Sequence, residues 1–323
     1  MNAQPGRTRN SRWTRSPTCG PRKTAHLSPH DIAIFSVLAR YRYLPADYIH
    51  AFVGGNFKHL IHRLNVLSRT PNLFVDRPQQ QRANAHANHR PLIYELDERG
   101  ARVLREHGFE YERTRAPASF AHELMVCQIM ASFELGARAT DLRLITWHDI
   151  LRHARFPATT RQSPKPFHIP VSVSVDGQRL DTHVAADGQP FGVARIVDDR
   201  PAYYFCPGIE ADCGTEPVNA SDFARSSIYK KFVLYLAVEA QGAYRSHFGF
   251  PNFYVPVITT NEARAQSMMD VLSRITGDSG SMIILFKTFP AFTSFEKPRP
   301  PSGRMLTEDW QRVGHPPFNF LSS

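Results

Sequence analysis

The sequence predicts an α/β (α+β) chain in two parts: a helical first third ending in a hairpin, then a mixed sheet flanked by helices. Three observations predict it. Apolar residues in the first third recur at helical spacing and give way to two strand-like runs around a polar tip. Beyond residue 119, helical stretches alternate with short apolar runs of strand length. The net charge of +10 is also unevenly divided: residues 1–116 carry 19 Lys and Arg against 9 Asp and Glu, and residues 117–323 carry 20 of each. Solubility does not require such segregation, whereas a surface that meets a polyanion does.

Residues 1–27 hold Arg7, Arg9, Arg12, Arg15, Arg22 and Lys23, with prolines at 5, 17 and 21 and no hydrophobic period. They read as a disordered basic arm able to add phosphate or minor-groove contacts. A first helix is expected from Ser28-Pro29-His30-Asp31, where Ser28 suits the N-cap and Pro29 the first helical position. Ile32, Phe35 and Leu38 line one side, and the helix ends near Tyr41. A second, short helix begins at Leu44-Pro45-Ala46-Asp47, turns Ile49 and Phe52 inward, and breaks at Gly54-Gly55.

The third helix is expected from Asn56 to about Leu67. Phe57, Leu60, Ile61, Leu64 and Leu67 form its core stripe. The other side presents Lys58, His59, His62, Arg63 and Asn65, without one acid. A solvated face usually mixes signs, and an acid-free one suits a helix lying in a major groove. Leu73–Arg77 reads as a strand, residues 78–90 as a polar tip, and Pro91–Leu96 as the returning strand, followed by a helix from Asp97. Three helices and a hairpin with a long tip are the layout of a winged helix-turn-helix. Lys58, His59, His62, Arg63 and Asn65 are its candidate readers of double-stranded DNA, with Arg77, Arg82 and Arg90 meeting phosphate from the wing. This domain is placed at 28–106 and a polar linker at 107–118.

The second domain, 119–289, is expected to start with a helix from Ser119 to Gly136. Strands follow at Leu142–Trp147, His168–Val175, Leu180–Ala186, Phe191–Val197 and Tyr203–Asp212. A helix over about 220–240, a strand at Tyr254–Thr259, a helix at Asn261–Ile275 and a strand at Met282–Phe289 complete it. Residues 290–323 hold six prolines and read as a tail. Within the domain, Asp187 lies at a strand–turn junction. Glu210 and Asp212 sit two apart on one strand and so share a face. Lys231 follows on the next helix. Carboxylates converging from neighbouring strands can hold Mg²⁺, and a lysine can stabilise charge at a phosphate. Asp187, Glu210 and Asp212 are therefore candidate metal ligands, and these three with Lys231 are candidate catalytic residues. The alternative is that they pair structurally.

Cys19, Cys127, Cys206 and Cys213 fit neither a disulfide framework nor a CxxC metal site, and suit thiols in a reducing cytosol. His86 and His89 read as solvated loop histidines rather than zinc ligands. No run of eighteen apolar residues occurs, so no membrane span and a cytoplasmic location are expected.

The segment VLARYRYLPADYIHAFVGG, then HRLNVLSR, LFVDR and PLIYELDERGARVL, resembles the opening helices, recognition helix and wing of the replication-relaxation family of plasmid and mobile-element proteins. His122-Glu123-Leu124 is similar to the H-x-L that opens that family's second domain. VAADG, GIEADCGTEP and KKFVLY resemble its Asp-containing strand, E-x-D-x-G-T-E segment and K-x-x-x-Y helix. On that match the corresponding residues are Asp187, Glu210, Asp212, Thr215, Glu216, Lys231 and Tyr235, over a span of about residues 30–290. The resemblance implies a winged helix joined to a restriction-endonuclease-like domain. It also implies a role in replication, relaxation or mobilisation, with DNA and other replication or relaxation proteins as partners. Ala186 stands where nucleases of that fold carry Pro, and Asp212 where they carry Lys. Lys231 is placed to serve from its helix instead. Three functions stay open: a DNA-binding replication protein, a Mg²⁺-dependent endonuclease, and a winged-helix transcriptional regulator.

Overall fold

The computed structural model describes residues 24–78, 92–109, 119–175, 177–197, 200–219, 226–289 and 301–322. Helices and strands are mixed, as expected of an α/β chain. The chain divides into two compact units, residues 1–120 with 295–300, and residues 121–294 with 301–323. Residues 1–23, most of the expected wing tip (79–91) and most of the expected linker (110–118) lie outside the described residues.

The first unit runs α1 (Pro29–Tyr41), β1 (Leu44–Pro45), α2 (Ala46–Val53), α3 (Phe57–Leu67), β2 (Val75–Asp76), β3 (Ile93–Leu96) and α4 (Glu98–Glu106). The three strands form one antiparallel sheet in the order β1-β3-β2. Ser28 caps α1 as its sequence predicts, in a capping box with Asp31 and with Pro29 in the first turn. Ile34, Phe35, Leu38, Ile49, Leu60, Leu64, Leu67, Ile93 and Leu104 are buried and make up the core. Phe57 departs from the expected stripe. It begins α3, where the helix has no preceding turn to lean on, and remains 43% exposed.

The second unit continues with α5 (Phe120–Arg138), β4 (Arg143–Ile145), α6 (Trp147–Arg152), α7 (Ala158–Arg161), β5 (Ile169–Val175), β6 (Gln178–Val184), β7 (Phe191–Val197), β8 (Arg200–Cys206) and β9 (Glu210–Ala211). It closes with α8 (Ile228–Gln241), α9 (Ala243–Phe248), β10 (Val255–Thr259), α10 (Glu262–Thr276), β11 (Ile284–Thr288) and α11 (Arg304–Thr307). Strands β11, β10 and β9 are parallel, β4, β7 and β8 antiparallel, and β5 and β6 form a hairpin.

Strand β10 is buried on both faces, which explains its largely apolar run. Val255, Val257, Ile284 and Phe286 face a core shared with α8 and α10. Ile258 and Leu285 face the opposite core, shared with α5 and the C-terminal segment.

Three expectations are corrected. Tyr203–Asp212 is not one strand: Pro207-Gly208 separates β8 from β9, which belongs to the other sheet. Gly208 is required there, since its φ is +145° and a Cβ would come within 2.2 Å of the Gly188 carbonyl oxygen. The strand expected at Leu142–Trp147 stops at Ile145, because Thr146 and Asp149 form a capping box that starts α6. The C-terminal tail is packed rather than free over residues 301–322: Trp310 and Phe320 are buried against Phe133, and Phe318 against Tyr204 and Tyr254. Cys127, Cys206 and Cys213 are not joined in disulfides.

Candidate functional sites: the α3 face and a lysine-centred carboxylate cluster

Helix α3 is positioned by its cap and its core stripe. Asn56 Oδ1 accepts the backbone N–H groups of Lys58 and His59, at 3.0 and 3.2 Å. Leu60, Leu64 and Leu67 are buried, which leaves Lys58, His59 and His62 exposed. The other expected readers are engaged. Arg63 donates from Nε and Nη2 to the two oxygens of Asp31, each at 2.7 Å, and from Nη2 to the His26 carbonyl. Asn65 accepts a hydrogen bond from Arg77, whose guanidinium lies over the Tyr94 ring. The acid that α3 lacks is therefore supplied to Arg63 by α1. Arg82 and Arg90 lie outside the described residues.

In the second unit, register decides which side chains meet. Glu210 pairs with Val257 and so faces the core beneath α8. Asp187 is brought beside it by backbone bonds: its N–H donates to the Ile209 carbonyl at 2.9 Å, and its carboxylate accepts the Ala211 N–H at 2.9 Å. Ser227 caps α8 and sets Lys231 in the first turn, with Tyr235 one turn further on the same side. Lys231 Nζ then stands 2.7 Å from Glu210, 3.0 Å from Glu216 and 3.8 Å from Asp187. The Tyr235 hydroxyl donates to Glu210, and His122 of α5 lies 3.3 Å from Asp187.

Asp212 does not join them. One strand repeat beyond Glu210, it meets Arg264 in the first turn of α10, at 2.5 and 2.8 Å, and accepts the Thr259 hydroxyl at 2.7 Å. Asp187, Glu210 and Lys231 are thus assembled, and the expected metal triad of Asp187, Glu210 and Asp212 is not. His122, Glu216 and Tyr235 complete the cluster. Only the i, i+4 spacing of Lys231 and Tyr235 marks one of them locally; nothing local marks Arg264, 52 residues from its partner.

The electrostatics follow from burial. Desolvation pushes the Glu210 carboxyl up to about 7, against the pull of Lys231. Burial opposes the Lys231 charge, but the surrounding carboxylates outweigh it and hold the ammonium more firmly protonated than usual. His122 is raised by its hydrogen bond to Asp187. Burial disfavours the Asp187 charge, yet His122 and Lys231 keep it ionised.

This donor set does not fit Mg²⁺. The Lys231 ammonium stands where a cation bridging these carboxylates would stand. Among the described residues, no group of three His, Cys, Asp or Glu side chains is placed to hold a metal ion.

The family model described as replication-relaxation matches residues 35–251, which covers the second half of α1, all of α2, α3 and α4, and the whole Asp187–Lys231 cluster. The chain belongs to the replication-relaxation family. No curated protein and no solved structure matches it. Among the described residues of this replication-relaxation protein, no helix is long and apolar enough to cross a membrane.

Proposed function

We propose that the first unit of this replication-relaxation protein is a winged helix that docks α3 in the major groove of double-stranded DNA. In this reading the chain serves the replication or relaxation of a plasmid or other mobile element. The carrying observation is the exposed row of Lys58, His59 and His62 on a helix held from behind by Leu60, Leu64 and Leu67. The order of helices and strands and the strand order β1-β3-β2 support it. So does the charge surplus, all of which lies in residues 1–116.

Lys58 and His62 reach groove or phosphate. Arg63, bound to Asp31, fixes the helix rather than reading bases. Metal-dependent cleavage by Asp187, Glu210, Asp212 and Lys231 is no part of this reading, because an ammonium holds the cation's place and Asp212 belongs to Arg264. The test is anisotropy-monitored binding of the full chain to duplexes spanning the replicon that carries its gene. Lys58→Ala combined with His62→Ala is expected to weaken binding about tenfold or more without lowering the melting temperature. Unchanged binding contradicts the reading.

A further inference from the structure

Phe57 stands outside the buried stripe of α3 and is 43% exposed, with its ring braced at the surface. Its neighbour His50, from α2, meets it edge-on with centroids 5.3 Å apart and planes at 76°. His50 is itself anchored, donating from Nε2 to the Gly55 carbonyl at 2.8 Å. The turn between α2 and α3 contains Gly54 and Gly55, both at positive φ. Lys58 and His59 flank it, both exposed. A large aromatic fixed at the surface at the first position of α3, next to a cation, is costly to leave in water and suits an apolar target beside a polyanion.

We infer that Phe57 is a specificity-determining residue that reads the C5-methyl group of a thymine in the major groove. The inference rests on the DNA-binding reading of α3. The N-terminal residues of such a helix lie against base edges. The thymine methyl is the one apolar group on those edges in the major groove, and phenylalanine is among the side chains that contact it. Lys58, one residue on, meets the phosphate or a purine edge beside it.

The full chain is first used to select its preferred duplex from a random pool. Each thymidine of that duplex is then replaced singly by deoxyuridine, which removes only the methyl group. For the wild type, at least one replacement is expected to weaken binding about fourfold, the effect of one methyl-sized burial. Phe57→Ala binds the parent duplex more weakly and is indifferent to that replacement. Phe57→Leu, which keeps an apolar side chain, remains sensitive. The inference is overturned if no position is sensitive in the wild type, or if Phe57→Ala is as sensitive as the wild type. Absence of any DNA binding by the wild type at low salt overturns the underlying reading instead, and is distinguishable from both.

Discussion

Arg63 of α3 and Asp31 of α1 form two parallel hydrogen bonds, each 2.7 Å, with the Asp31 side chain wholly buried. Asp31 also accepts the Ser28 N–H and hydroxyl at 2.7 and 2.8 Å, so one carboxylate joins the cap of α1 to α3. Asp31→Asn is expected to destabilise the first unit by on the order of 3 kcal/mol, because it leaves the Arg63 charge without its buried partner. Burial disfavours the Asp31 carboxylate, but Arg63 and Ser28 outweigh that and hold its pKa below the usual value of 3.8. Its contribution is therefore present above that value and lost as pH falls through the lowered one. Denaturant titrations of wild type and Asp31→Asn, from pH 7 down to pH 2, measure both effects. Equal stability at pH 7 would contradict the role assigned to the pair.

The buried Glu210 titrates the other way. Its pKa rises from 4.5 to about 7 on folding, so the folded chain keeps a proton that the unfolded chain has released. Stability owed to this group is complete below 4.5 and falls as pH rises toward 7. Glu210→Gln, which cannot ionise, is expected to flatten the dependence of the second unit's stability across that window. A parallel pH profile for variant and wild type would show that Glu210 is not the titrating group.

Lys231 acts as the resident cation among Glu210, Glu216 and Asp187. Calorimetric titration of the wild type with Mn²⁺ is expected to show no saturable binding. Lys231→Met leaves three carboxylates without their cation and is expected both to lose stability and to gain affinity for Mn²⁺. Tight Mn²⁺ binding by the wild type, abolished by Asp187→Asn, would overturn this assignment.

Trp310 is fully buried; its Nε1 donates to the Met305 carbonyl at 2.9 Å, and its ring lies 6.0 Å from that of Phe133. Trp310→Ala should cost the second unit about 3–5 kcal/mol in denaturant melts, the usual loss for a large buried aromatic. A loss under 1 kcal/mol would mean that the C-terminal segment is not part of the core.

Most of the first unit was legible in sequence, because its signals are local. Ser28-Pro29 and Asn56 announce helix starts, and Leu60, Leu64 and Leu67 announce the buried side. What sequence could not show is which exposed-looking side chains have partners: Arg63 is met by an acid 32 positions earlier, and Asn65 by Arg77. In the second unit, Glu210 and Asp212 do share strand parity, but they part because α8 offers Lys231 to one and α10 offers Arg264 to the other. Helix placement above a sheet is a tertiary fact without a local signature. The C-terminal prolines likewise hid three aromatic residues that complete the core.

The salt dependence of DNA binding by the full chain, plotted as the logarithm of the association constant against the logarithm of salt concentration, tests the central claim most directly. A steep negative slope is expected, reduced by about one unit in Lys58→Ala and further by removal of residues 1–27. Binding that is insensitive to salt, or a slope unchanged in both variants, would contradict it.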